Sequence, residues 1–302
     1  PHPIDNPPNV EKIALGQKLF FEEALSKTST ISCATCHNPQ FGFEDGLSLG
    51  IGVTSEPLPR HTPTLFNLAW SETFFWDGRA LSLEEQAAGP LLAKAEMGMT
   101  AEALVKRLSQ NESYQQDFNR VFPDKGLSLE TLTMAIAAFE RTLVSKNAPF
   151  DAWVAGDEKA ISTSAKRGFK LFAGNARCVQ CHSGWNFTDD GFHDIGLKSL
   201  DEGRFEILNF PTMHHAFKTP GLRNIRERAP YMHDGSLTTL DAVIRHYDGG
   251  FQHRDSLSEL MQPLGLNANE RADLIVFLNS LSSPVSLSPT QKAERQVAQG
   301  GK

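Results

Sequence analysis

No apolar run in the 302 residues approaches the ~18 that a membrane-spanning helix requires. Basic residues do not prevail: 29 Lys and Arg against 36 Asp and Glu leave a net charge of −7, which disfavours nucleic acid and provides no basic patch for a membrane surface. Such a balance permits steering of a basic partner protein, though a solvated acidic surface accounts for it equally. No segment sustains the period-2 alternation of a half-buried strand, so an all-α chain is expected. All four cysteines, Cys33, Cys36, Cys178 and Cys181, lie in two Cys-x-x-Cys-His motifs, leaving none for a disulfide framework. Nor does the sequence begin with methionine; Pro1-His2-Pro3 is what a processed chain is expected to show.

What is present is ordinary globular composition, 40% hydrophobic and 22% charged, at a length that favours two domains. Apolar residues recur at helical spacing in NVEKIALGQKLFFEEALS, through Ile13, Leu15, Leu19 and Phe20. Stretches 101–108, 129–143 and 151–154 also read as helix. Asn267 is expected to cap a last helix carrying Leu274, Ile275, Phe277 and Leu278. Stretches 38–64 and 183–222, rich in Gly, Pro and Asp, are expected as long loops wrapped around a cofactor, and the polar tail from Ser286 as poorly ordered.

The strongest chemical signals are Cys33-Ala34-Thr35-Cys36-His37 and Cys178-Val179-Gln180-Cys181-His182. Two thiols so spaced bond covalently to the vinyl groups of a haem, and the histidine that follows is presented to the iron as proximal ligand. A zinc or dithiol redox site would not need that histidine. Here it is present both times, and each motif follows the same helix ending, Gly16-Gln17-Lys18-Leu19-Phe20 or Gly168-Phe169-Lys170-Leu171-Phe172. Two haem c groups are expected. Their attachment takes place outside the cytoplasm, which points to the bacterial periplasm.

A second echo follows each motif. Thr62-Pro63-x-Leu65-x-Asn67 returns as Thr219-Pro220-x-Leu222-x-Asn224, and Asp77-Gly78 as Asp234-Gly235, at a constant offset of 157 (219 minus 62, 234 minus 77). The chain is therefore an internal duplication, with domains 1–160 and 161–302 expected. The same offset sets Trp76 against His233 and Pro90 against Tyr247. Proline cannot ligate iron and a tyrosine phenolate can, so the first haem is expected open and the second closed. On spacing alone His246, His253, Met232 and Met261 compete with Tyr247 as the closing ligand.

Taken together, SCATCH, TPTLFN, FWDGRALSLEEQAAGP with EMG just after, RCVQCH, and KTPGLRN followed by APYMHDGSLTTLDAV resemble the bacterial dihaem cytochrome c peroxidase and MauG family over nearly the whole chain. The resemblance implies two cytochrome c-like domains. In the peroxidases a methionine seventeen residues after the proline of the APY motif ligates the second haem; here Pro230 plus seventeen is Tyr247, which resembles the MauG branch. The peroxidases also carry a histidine in the loop before TPT that blocks the first haem. EDGLSLGIGVTSEPLPR contains none, which implies a first haem that is always open. His61 stands where the family has an asparagine that helps bind calcium, which puts calcium in doubt, although the carbonyls of Arg228 and Pro230 are positioned in the motif to serve.

Peroxide cleavage on iron needs a group that moves a proton from the inner to the outer oxygen and a polar partner that orients the peroxide. The resemblance assigns these roles to Glu96 and Gln86, which flank Pro90; without it, LEEQ reads as a solvated helix turn. It also places Trp76 between the haems as an electron or hole relay, where an ordinary tryptophan would be core. The implied activity is oxidation of an aromatic residue, typically tryptophan, on a periplasmic partner protein. Hydrogen peroxide would generate a high-valent dihaem state whose equivalents travel over long range. The competing readings are a dihaem peroxidase fed by a small cytochrome c or cupredoxin, and a non-catalytic dihaem electron carrier, which Pro90 opposite the first haem disfavours.

Overall fold

Helix starts follow the capping residues in the sequence. Asn9, Ser82, Thr100, Ser128, Ser162, Thr239 and Asn267 each accept a backbone N–H from the first turn of the helix they precede. The computed structural model describes residues 1–145 and 147–283; the tail from Ser286 lies outside them. Eleven α-helices are present among these residues. In chain order they are α1 (Val10–Phe20), α2 (Cys33–Cys36), α3 (Leu83–Leu92), α4 (Ala101–Ser109), α5 (Glu112–Val121) and α6 (Leu129–Glu140). There follow α7 (Pro149–Val154), α8 (Thr163–Ala173), α9 (Phe205–Leu208), α10 (Leu240–Arg245) and α11 (Ala268–Asn279). The fold is all-α apart from one antiparallel pair, β1 (Phe192–His193) and β2 (Phe217–Lys218), inside the long second loop. Elements of two residues are too short for periodicity to reveal.

The duplication is visible in the packing. In the first half α1 lies against α6, and in the second α8 lies against α11. Both crossings pass through a glycine: a Cβ on Gly16 would sit 1.8 Å from the Ala135 carbonyl oxygen, and one on Gly168 2.0 Å from that of Asp273. Only glycine admits helix backbones at that separation, which explains why the echo keeps it. Around the first crossing Leu19, Leu104, Phe118 and Leu132 form one core, and around the second Phe172, Leu274, Phe277 and Leu281 form another.

Asn67 and Asn224 end their motifs for a structural reason. Both adopt left-handed backbone, φ 63° and 56°, which asparagine tolerates better than most residues. Each is buried, and each clamps the chain leaving the central helix of its half: Ser145 N–H donates to Asn67 Oδ1 at 3.0 Å, and Asn224 Nδ2 donates to the Ser283 carbonyl at 2.8 Å.

The short helix α7, ahead of the expected boundary at 160, packs with the second core: Phe150 belongs to that core and its N–H donates to the Ser280 carbonyl at 3.1 Å.

Candidate active site: two cavities and the wall between them

Each Cys-x-x-Cys-His motif opens onto its own cavity. The first, of about 820 Å³, is lined by Cys33, Cys36, His37, Trp76, Gln86, Pro90 and Glu96. The second, of about 200 Å³, is lined by Cys178, Cys181, His182, Met232, Tyr247 and Met261.

These residues fit covalent haem. His37 Nδ1 donates to the Phe43 carbonyl at 2.9 Å and His182 Nδ1 to that of Phe187 at 3.0 Å, which turns each Nε2 toward its cavity. Burial lowers the pKa of both imidazoles, and a neutral ring is what iron ligation requires. Burial also pushes the thiols up, Cys33 and Cys178 to about 12 and Cys36 and Cys181 to about 11. Buried sites that favour the uncharged sulfur are compatible with a thioether. Among the described residues the one cluster of possible metal-binding side chains, Cys181, Asp189 and His193, uses a thiol of the second motif.

On the open side of the first cavity, α3 carries Gln86 and Pro90 one turn apart. Pro90 has no N–H for the Gln86 carbonyl, so the helix surrenders a bond at the point where it faces the cavity. The chain then folds back, with Met97 N–H on the Pro90 carbonyl at 3.1 Å and Val53 N–H on the Glu96 carbonyl at 2.9 Å. That return brings Glu96 to the same lining as Gln86. Burial raises its pKa and Arg79 opposes the shift in part.

The equivalent stretch of the second half ends differently. After α10 the chain makes a π-helical turn, His246–Gly250, which carries Tyr247 to the second cavity. Burial, then the nearby Cys181 and Cys178, push its phenol up, so ionisation there requires a strong local cation. The rivals separate. His246 Nε2 is engaged by the Ile195 carbonyl at 2.8 Å and His253 is exposed against Phe251. Met232 and Met261 share the second cavity with Tyr247.

Trp76 lines both cavities. Its indole N–H donates to the His61 carbonyl at 2.8 Å, and its ring meets His233 edge-on at 6.5 Å between centroids. His233 in turn stacks on Phe217 at 3.6 Å. The duplicated positions thus touch across the wall, through reciprocal bonds: His61 N–H to the His233 carbonyl at 2.7 Å and Lys218 N–H to the Trp76 carbonyl at 2.8 Å. The other tryptophans are elsewhere. Trp70 and Trp185 meet edge-on at the surface, and Trp153 packs at the rim of the second core.

His61 decides the fit to calcium. It is buried, with Nδ1 on the Leu47 carbonyl at 2.8 Å and Nε2 on Glu44 at 3.0 Å, and Glu44 also holds Arg228 at 2.7 Å. Burial alone would lower the His61 pKa, but the bond and charge of Glu44 outweigh it and raise it. Calcium takes oxygen ligands. The asparagine oxygen is replaced by imidazole and the neighbouring carboxylate is already engaged by Arg228 and His61, so the side chains here do not fit the ion. Sequence reading missed Glu44, which sits 184 positions from Arg228 and carries no motif.

A two-domain α fold with a Cys-x-x-Cys-His motif lining a cavity in each half defines a dihaem c-type oxidoreductase. Comparison with known proteins agrees. The pattern of the di-haem cytochrome c peroxidase family matches residues 10–159 and that of cytochrome c matches 165–282. The methylamine utilization protein MauG of Methylorubrum extorquens is 50% identical over 94% of this chain and 81% of its own, and that of Methylophilus methylotrophus 48% over 93% and 85%. A solved MauG-like protein associated with microbial copper homeostasis superposes with a TM-score of 0.89 at 32% identity, covering 95% of this chain and 94% of its own. The chain belongs to the di-haem cytochrome c peroxidase and MauG family, on the MauG-like side, and is a peroxide-dependent enzyme with two covalent haem c groups.

Proposed function

We propose that this enzyme works in the periplasm and uses hydrogen peroxide to oxidise an aromatic residue, a tryptophan, of a partner protein that never enters the haem pocket. The observation that carries the reading is Trp76, which lines both cavities and is held by the wall between them. Cys33, Cys36 and His37 hold the first haem; Cys178, Cys181, His182 and Tyr247 hold the second. Bound there, the haems supply the iron that cleaves peroxide and the means of storing its oxidising equivalents.

The protein's own residues do the rest. Pro90 keeps one face of the first site free of a ligand. Gln86 orients the peroxide. Glu96 accepts the proton of the inner oxygen and returns it to the outer one, so that water leaves. Trp76 passes electrons across the wall, its N–H bond to His61 fixing the ring. Two electrons and two protons drawn from the partner complete the reduction of one peroxide to two waters. Tyr247, as phenolate, stabilises the oxidised states of the second site, where a thioether would favour the reduced one.

The test is rapid mixing of the fully ferric protein with peroxide. The absorption spectrum is expected to change at once without prior reduction. A change seen only after addition of one electron would replace this reading with a peroxidase fed by a small cytochrome c or cupredoxin. One observation favours that second reading: Met232 and Met261 line the same cavity as Tyr247, and a thioether ligand raises an iron's potential.

A further inference from the structure

Glu140 ends α6 as a buried residue, 4% exposed, in the lining of the first cavity. Among the described residues its Oε2 has no hydrogen-bond partner. The adjacent Arg141 makes no hydrogen bond to it, because both its terminal guanidinium nitrogens donate to Glu84, at 2.7 and 2.8 Å. An unpaired carboxyl in such a place strongly favours its uncharged form. None of the roles above uses it.

The other half of the duplication holds an uncharged residue at the equivalent position. Gly16 meets the Ala135 carbonyl and the Phe139 Cβ, and Gly168 meets the Asp273 carbonyl and the Phe277 Cβ, which aligns the two central helices at an offset of 138 (273 minus 135, 277 minus 139). That offset pairs Ile136 with Leu274 and Glu140 with Leu278. Ile136 and Glu140 line the first cavity; Leu274 and Leu278 line the second. At one wall position, then, the closed site has leucine and the open site an acid.

The geometry points to Glu140 as a proton-holding group of the open site: its uncharged carboxyl gives up a proton when the first haem loses an electron and takes one back when the electron returns. The exchange balances, since one electron leaving the iron is matched by one proton leaving the Glu140 carboxyl for solvent. The cavity's net charge is thereby unchanged through oxidation. Burial pushes this carboxyl up to about 8, Arg141 acting against the shift and Glu84 with it. The charged groups that act on it are that ion pair; Glu96, Arg79 and further charged side chains share the cavity lining, and Cys33 lies near enough for its thiol to feel the Glu140 charge. This role rests on the first cavity being the peroxide-reacting one, but Glu140 can be observed without peroxide.

The experiment uses the two-haem protein and compares wild type, Glu140→Gln and Glu140→Leu. Infrared spectra of the fully reduced protein are expected to show a protonated-carboxyl band at pH 6 that fades as pH rises through about 8 and is missing from both variants. Spectroelectrochemical titration is expected to show the first haem's potential falling with pH over the same range, the second haem's unchanged, and the first haem's dependence gone in Glu140→Gln. Absence of the band from wild type at pH 6, or a pH dependence that survives in Glu140→Gln, overturns the proposal. Glutamine preserves size and hydrogen-bonding capacity, so a merely structural role would leave the potential's pH dependence intact. If Glu140→Gln fails to take up haem, the wild-type band and its pH titration decide alone.

Discussion

Tyr247 and Glu96 are single side chains whose chemistry is set by what surrounds them. A phenol held neutral by burial ionises only beside a cation, which is what the proposed ligation of a ferric iron by Tyr247 would supply. Tyr247→Phe is expected to turn the second haem five-coordinate with little loss of packing, seen as a shift of its ferric spectrum to high spin. An unchanged spectrum would assign the ligand to Met232 or Met261. Glu96 must be ionised to accept a proton, and burial raises its pKa. The peroxide reaction should therefore slow as pH falls through a value above the ordinary carboxylate range. Glu96→Gln should remove that limb and lower the rate roughly 10²–10⁴-fold, measured by stopped flow. These residues were legible in the sequence because their motifs are. Glu44 and Glu140 were not, since nothing in EDG or FERT announces a buried pair or a cavity wall.

At the scale of elements, the helix pairs α1–α6 and α8–α11 are the supports on which both cavities are built. Each depends on a glycine crossing that the sequence displayed as a repeat without revealing its cause. Gly168→Ala would drive a methyl to 2.0 Å from the Asp273 carbonyl oxygen, so the helices must separate. A loss of about 1–3 kcal/mol is expected, read as a lower melting temperature with haem content still measurable. No change would mean that the crossing is looser than the structure shows. The cap read at Asn267 foretold the start of α11. The π-helical turn at His246–Gly250 was not foreseeable, because Asp248 and Gly249 leave helical geometry only under the constraints of their surroundings. Yet that turn carries Tyr247 to the cavity and leaves His246 on a backbone carbonyl.

Across the whole molecule the two halves meet at one wall, and its electrostatics are internal. Glu44 joins His61 and Arg228, bringing residues from both halves into one buried cluster. Because these side chains do not fit calcium, exhaustive chelation with EDTA is expected to leave the haem spectra and the peroxide reaction unchanged. Loss of reaction that added calcium restores would show an ion held by backbone carbonyls instead. Among the described residues no helix is long and apolar enough to cross a membrane.

The sequence by itself determined the two haems, the duplication, the helical class and the asymmetry of Pro90 against Tyr247, because covalent attachment and repeated motifs are written in contiguous residues. Only the tertiary structure decided which rivals of Tyr247 reach the cavity, that Trp76 and His233 touch, that α7 belongs with the second core, and that Glu140 faces the open site. Each of these depends on contacts between residues distant in the chain. Helix crossing angles and loop returns fix such contacts, and no local pattern encodes them.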